Sequence, residues 1–176
     1  FDVPGAYLHA KLPKDKRVLL KLTGEFVDIM CEVNPDYLKY VRFESGKKVL
    51  YLHILKAIYG MIESALLWYK LYSTTLEKMG FEINPYNKCV ANKPIDGKQF
   101  TVCWYVDNNK VSHVNDDVNM MVVDEIEKKF EKLARTTGTK HTFLGMDIKF
   151  IGDKNVAVTR PQHISEAIED FGEDLD

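Results

Sequence analysis

The stretch of residues 99–112, QFTVCWYVDNNKVS, limits the fold of this chain more than any other. Phe100, Val102, Trp104 and Val106 alternate with Thr101, Cys103, Tyr105 and Asp107. Nearly all of these side chains are β-branched or aromatic, which is the pattern of a half-buried strand. Asp107, Asn108 and Asn109 predict a turn, because short amide and carboxylate side chains bond nearby backbone and tolerate positive φ. A second strand then returns towards Ser112. The hairpin carries an acidic group at its tip. A second carboxylate, Asp2, stands at the far end of the chain, where an apolar run gives way to Pro4-Gly5. If folding brings Asp2 and Asp107 together, they form a site for hard divalent cations.

The remaining segments predict an α+β fold in which helices pack on an antiparallel sheet. Residues 1–3 read as a strand end, Ala6-Tyr7-Leu8 as a short helix, and 18–22 as a strand closed by Thr23-Gly24. A short helix is expected near 26–31, then a turn at Asn34-Pro35. Residues 43–55 read as a hairpin turning at Ser45-Gly46-Lys47. The clearest helix spans 63–79, with Trp68, Tyr72 and Leu76 on one stripe, Leu67, Leu71, Thr75 and Met79 on the next, and Gly80 as its stop. Residues 89–92 suggest a short strand, and 95–98 a turn into the central hairpin. A second helix is expected over 116–134, capped by Asp116 or Asp117, with Val118, Val122, Ile126, Phe130 and Leu133 facing the core. A loop containing Gly138 leads to strands over 141–150 and 155–159 around Gly152-Asp153. Pro161 opens a last helix bearing Ile164, Ile168 and Phe171, and the chain ends in an acidic tail, 173–176.

The 176 residues suit one domain with a good-sized core, and 45% apolar with 28% charged residues is ordinary for a globular protein. A net charge of -2 neither points to nor excludes a nucleic-acid partner. Cys31, Cys89 and Cys103 are scattered, and neither CxxC nor zinc-finger spacing occurs, so reduced core thiols are expected. The five histidines show no ligand spacing. No run is apolar enough for a membrane span. No Ser-His-Asp or Cys-His signature points to a protein nucleophile.

Four segments, FDVPGAYLHAKLP, LHILKAIYGMIESALLWYKL, WYVDNNK and HTFLGMDIKF, stand in the order seen in copia-type retrotransposon reverse transcriptases. The chain resembles that family over essentially its whole length, from the first palm motif to the start of the thumb. The resemblance implies a polymerase palm over 1–176, with part of the fingers and the start of the thumb. The N-terminal fingers, most of the thumb and an RNase H domain belong to a longer polyprotein. It implies RNA-directed DNA polymerase activity: nucleotidyl transfer to a primer 3′-hydroxyl with two Mg²⁺ ions, for which Mn²⁺ can substitute. The implied partners are an RNA or DNA template, a DNA primer, deoxynucleoside triphosphates and the other polyprotein domains. The implied setting is intracellular, in a cytoplasmic virus-like particle, with no membrane.

Residue by residue, Asp2 and Asp107 match the metal-binding aspartates, with the Val3 carbonyl as an extra ligand. Tyr7 matches the aromatic residue that excludes a 2′-hydroxyl. Tyr59-Gly60 matches the segment beneath nucleotide and template, Lys140 a basic residue near the triphosphate, and Leu144-Gly145-Met146 the primer grip. Two departures stand out. The family's YVDD reads YVDN here, with Asn108 at the second aspartate, and its Gln-Ser-Pro-Arg reads Glu63-Ser64-Ala65-Leu66. Mg²⁺ holds carboxylates better than amides, so Asn108 and the absent fingers together predict a poorly active chain. The alternative reading is a decayed, non-catalytic palm that keeps its fold and some nucleic-acid binding. Lys11, Lys14, Lys16 and Arg17 form a basic cluster that either meets phosphates or is a solvated loop.

Overall fold

The computed structural model describes residues 1–152 and 155–171. Asp153 of the expected 152–153 turn and the acidic tail lie outside the described residues. The architecture is mixed helix and antiparallel sheet, divided into two compact units: Tyr7–Trp68, and Phe1–Ala6 together with the chain from Tyr69 onward.

The Tyr7–Trp68 unit begins within helix α1 (Ala6–His9) and continues through β1 (Val18–Thr23) and α2 (Glu25–Val33). A 3₁₀ turn over Pro35–Tyr40 follows, then β2 (Arg42–Glu44) and β3 (Lys47–Ile54), pairing in the order β1-β3-β2. The 3₁₀ turn is absent from the sequence expectation. It forms because the Asn34 side chain accepts from the Asp36 N–H and Pro35 sits at its first position. The basic cluster lies exposed, and the Lys16 ammonium pairs with the Glu63 carboxylate.

Helix α3 (Ser64–Lys78) carries the unit boundary and buries Trp68, Tyr72 and Leu76, as its stripe predicts. Lys93 Nζ donates to the Met79 carbonyl at 2.6 Å, satisfying an acceptor just beyond its last turn. The larger unit then builds a sheet from β4 (Glu82–Ile83), β5 (Val90–Ile95), β6 (Lys98–Tyr105) and β7 (Asn108–Ser112), in sequential order. Phe100, Val102 and Trp104 point inward from β6, on the predicted alternation. Against them lie Tyr72 and α4 (Asp116–Phe130), whose Val118, Val122, Ile126 and Phe130 are buried. Ring contacts tie the layers: Tyr72 meets Trp104 edge-on at 5.4 Å and Phe130 at 5.5 Å.

Four local expectations need correction. The tip of the central hairpin is Val106-Asp107, and Asn108 and Asn109 already belong to β7. A three-residue turn over 107–109 would pair Val106 with Lys110 and carry its ammonium to the buried face. The shorter turn brings Asn109 opposite Trp104 instead. Helix α4 stops at Phe130, not at 134, because Glu131 takes φ 64° and turns the chain away. Its cap is Asn115, whose side chain accepts from the Asp117 N–H. The strand expected over 141–150 is two strands, β8 (Lys140–Phe143) and β9 (Met146–Ile151), and β10 (Asn155–Thr159) completes that sheet. Leu144 and Gly145 both take positive φ, 52° and 71°, which makes a two-residue hairpin turn of the twist that strands favour. Helix α5 (Pro161–Asp170) ends the described chain, with Ile164 and Ile168 exposed.

Candidate functional site

The tip of the β6–β7 hairpin is strained. Val106 sits at φ 54°, a region that glycine normally fills at the first position of such a turn. A β-branched residue there costs on the order of 1–3 kcal/mol, so the surrounding structure must hold it. The holding groups are buried. Tyr72, fully inaccessible, donates its hydroxyl to Asn109 Oδ1 at 2.5 Å. Asn109, 4% exposed, donates its Nδ2 to the Asp107 carbonyl at 2.7 Å. Burial pushes the Tyr72 phenol well above its usual range, so it remains a donor. A rigid helix thus grips the peptide that carries Asp107.

Asp2 is held on both flanks. On one side it forms an antiparallel bridge with Asn108; there the Val3 N–H donates to the Asp107 carbonyl at 2.9 Å, and the Asn109 N–H to the Phe1 carbonyl at 2.8 Å. On the other side the Asp2 N–H donates to the Ala134 carbonyl at 2.8 Å, and the Ala134 N–H returns to the Asp2 carbonyl at 3.1 Å. Residues far apart in the sequence, 1–3 on one side and 107–109 with Ala134 on the other, therefore meet at the hairpin tip. The Asp2 carboxyl is held above its ordinary value first by burial and then by the negative charge of Asp107, against the pull of the Phe1 ammonium.

The other expected residues divide. The Asn108 Nδ2 donates to Asp107 Oδ1 at 3.3 Å, so its amide faces the carboxylate as a donor. Tyr7 and Tyr59 belong to the smaller unit, where their rings pack at 4.7 Å. Gly60 lies there as well, at φ 88°. Lys140 stands directly opposite Lys149 across β8 and β9. Like charges so placed cost stability, and an anion lying across both removes that cost. Leu144-Gly145 is the exposed β8–β9 turn, and Met146 opens β9. Beside Asp2 and Asn108 opens a cleft of about 740 Å³, walled by Lys110, His113, Met120, Phe143 and Phe150. The Lys110 ammonium lies 5.3 Å above the Phe150 ring, and the buried Asn119 Oδ1 at the cleft wall has no hydrogen-bond partner among the described residues. The cysteines are free and half-buried rather than fully in the core.

Sequence reasoning missed Asn109, Ala134, Glu127 and Arg135. Asn109 reads as one more turn residue, and the others as a helix surface and its end; Tyr72 and Asp2, the partners of Asn109 and Ala134, are distant in sequence, while Glu127 and Arg135 meet only because the helix ends at Phe130.

The negative charge of Asp107 works against ionisation of Asp2, and a hard divalent cation held by the two carboxylates would relieve that repulsion. Among the described residues no third His, Cys, Asp or Glu joins them in a metal-holding group. The donor set fits one such ion; a second would depend on oxygens brought by the substrate. No described helix is long and apolar enough to cross a membrane. No family model matches the chain, and no curated protein or solved structure matches it either.

Proposed function

We propose that the chain is the palm of a copia-type RNA-directed DNA polymerase, with Asp2 and Asp107 as its metal-holding carboxylates. The observation that carries the reading is the meeting of Asp2 with a strained, buried-anchored hairpin tip bearing Asp107. The order of the four sequence segments supports it. A cation held there supplies charge stabilisation for phosphoryl transfer, chemistry that consists mostly of positioning and electrostatics. The chain's own residues do the rest. Tyr72 and Asn109 fix the Asp107 peptide, and Ala134 and Asn108 fix that of Asp2. Lys140, with Lys149 opposite, offers positive charge to phosphate, and the Leu144-Gly145-Met146 turn offers backbone to a primer. The sequence resemblance alone assigns Tyr7 and Tyr59-Gly60 to the incoming nucleotide. The partners are template, primer and deoxynucleoside triphosphates, within a larger intracellular polyprotein.

One observation favours the non-catalytic alternative: the Asn108 amide donates to Asp107 where the family sets a third carboxylate. The test is Mn²⁺ binding by electron paramagnetic resonance, together with primer extension on a poly-ribonucleotide template. Asp2→Asn and Asp107→Asn are each expected to weaken Mn²⁺ binding at least about tenfold, and Asn108→Asp to tighten it. Extension, measured in a chain lengthened to include the fingers, should rise clearly in Asn108→Asp over the Asn108 parent. Mn²⁺ binding indifferent to Asp2 and Asp107 refutes the site. Metal binding with no extension in any fingers-extended variant favours the remnant.

A further inference from the structure

We propose that Glu127 and Arg135 form a positioning clamp for Asp2, acting through the backbone of Ala134; the proposal rests on the reading of Asp2 as the functional carboxylate. After α4 ends at Phe130, the three residues 131–133 lead the chain to Ala134, the bridge partner of Asp2. The residues on either side of Ala134 are tied to one side chain. The Leu133 N–H donates to Glu127 Oε1 at 2.8 Å, while Arg135 Nη2 donates to Glu127 Oε2 at 2.5 Å. A second arm of the same guanidinium, Nη1, reaches Asp124 Oδ1 at 2.6 Å. Leu133 itself is buried, which sinks the segment onto the core. With both neighbours fixed to a rigid helix, the Ala134 peptide has one place to be.

That place matters because of how the hydrogen bonds alternate along the first strand. The N–H and C=O of Asp2 itself are both spent on Ala134, whereas the Phe1 carbonyl and Val3 N–H are spent on the β7 side. Loss of the clamp therefore frees Asp2 selectively, and its neighbours stay attached to the hairpin. Surface ion pairs ordinarily contribute little to stability, so the forked geometry is better explained as placement than as strength. Partners one shell away from metal-holding groups change affinity by about 10–100-fold when lost.

The test uses the full chain and two readouts, amide hydrogen exchange by NMR and Mn²⁺ affinity. In Arg135→Ala, protection should fall at the amides of Asp2 and Ala134 and persist at those of Val3 and Asn109. Mn²⁺ affinity should drop about tenfold. Arg135→Lys keeps the charge but loses the fork, and Glu127→Gln keeps an acceptor for Leu133 but loses the ion pair. Both should give intermediate losses of the same selective pattern, and they carry the test if Arg135→Ala does not fold. Asp124→Asn, at a carboxylate that pairs with Arg135 but not with Leu133, should change least. Unchanged protection at Asp2, or an equal loss at all four amides, overturns the clamp. A parent chain that binds no Mn²⁺ overturns the proposed function instead, and the amide pattern still decides for or against the clamp.

Discussion

Replacing Tyr72 with phenylalanine removes one oxygen from the core and strips Asn109 Oδ1, in a residue 4% exposed, of a 2.5 Å hydrogen bond. The ring keeps its contacts with Trp104 and Phe130, so little packing is lost. The expected cost is that of a buried acceptor deprived of its donor, about 1–3 kcal/mol. For a chain of this length that lowers the melting temperature by about 4–8 °C, taking the middle of the range. Asn109→Ala deletes the same bond and also the 2.7 Å bond to the Asp107 carbonyl, so it should cost more, about 3 kcal/mol. The double variant should cost less than the sum of the singles by about 1 kcal/mol, since both remove one shared bond.

The assay is urea unfolding followed by the fluorescence of Trp104, whose ring lies 5.4 Å from Tyr72. A Trp68→Phe background removes the other of the chain's two tryptophans, so the signal reports the larger unit. Two units can unfold in separate steps, and a single local probe avoids mixing them. A Tyr72→Phe cost below about 0.5 kcal/mol, or strictly additive costs in the double variant, would show that this bond does not anchor the hairpin tip.

Two further outcomes follow from the same site. The Asp2 carboxyl lies above its ordinary 3.8, so the folded state binds that proton more tightly than the unfolded chain and stability declines as pH rises through the raised value. Asp2→Asn should therefore melt higher than the parent at pH 7, with the gap closing below about pH 4; a parent at least as stable at pH 7 refutes it. Val106→Gly relieves strain on the order of 1–3 kcal/mol and adds chain entropy worth about 0.5–1 kcal/mol, so its melting temperature should equal or exceed the parent's, by up to several degrees, and a clear fall would deny the strain.

What could be read from the sequence was local, and what could not was register between distant segments. The alternation in residues 100–104 and the stripe through Trp68, Tyr72 and Leu76 are set by periods of two and 3.6 residues, which any short window displays. Asp2 and Asp107 were legible as acidic groups at the ends of apolar strands, but only the fold makes Asp2 the partner of both Asn108 and Ala134. The end of α4 shows the difficulty best. Leu133 continues the apolar stripe of the helix, so periodicity carries the helix on to 134. Helix propensity there loses to two tertiary bonds at Ala134 and one to the Glu127 carboxylate, none of them visible in the local pattern. The hairpin tip fails for a related reason: Asp, Asn and Asn advertise a turn, and Val does not. The register that buries Asn109 beneath Tyr72 moves the turn one residue earlier and leaves Val106 in the strained position. A local rule is broken at the residue that presents Asp107, and a buried network compensates for it. Such a local conflict, sustained by the surrounding fold, is where a functional site is most expected.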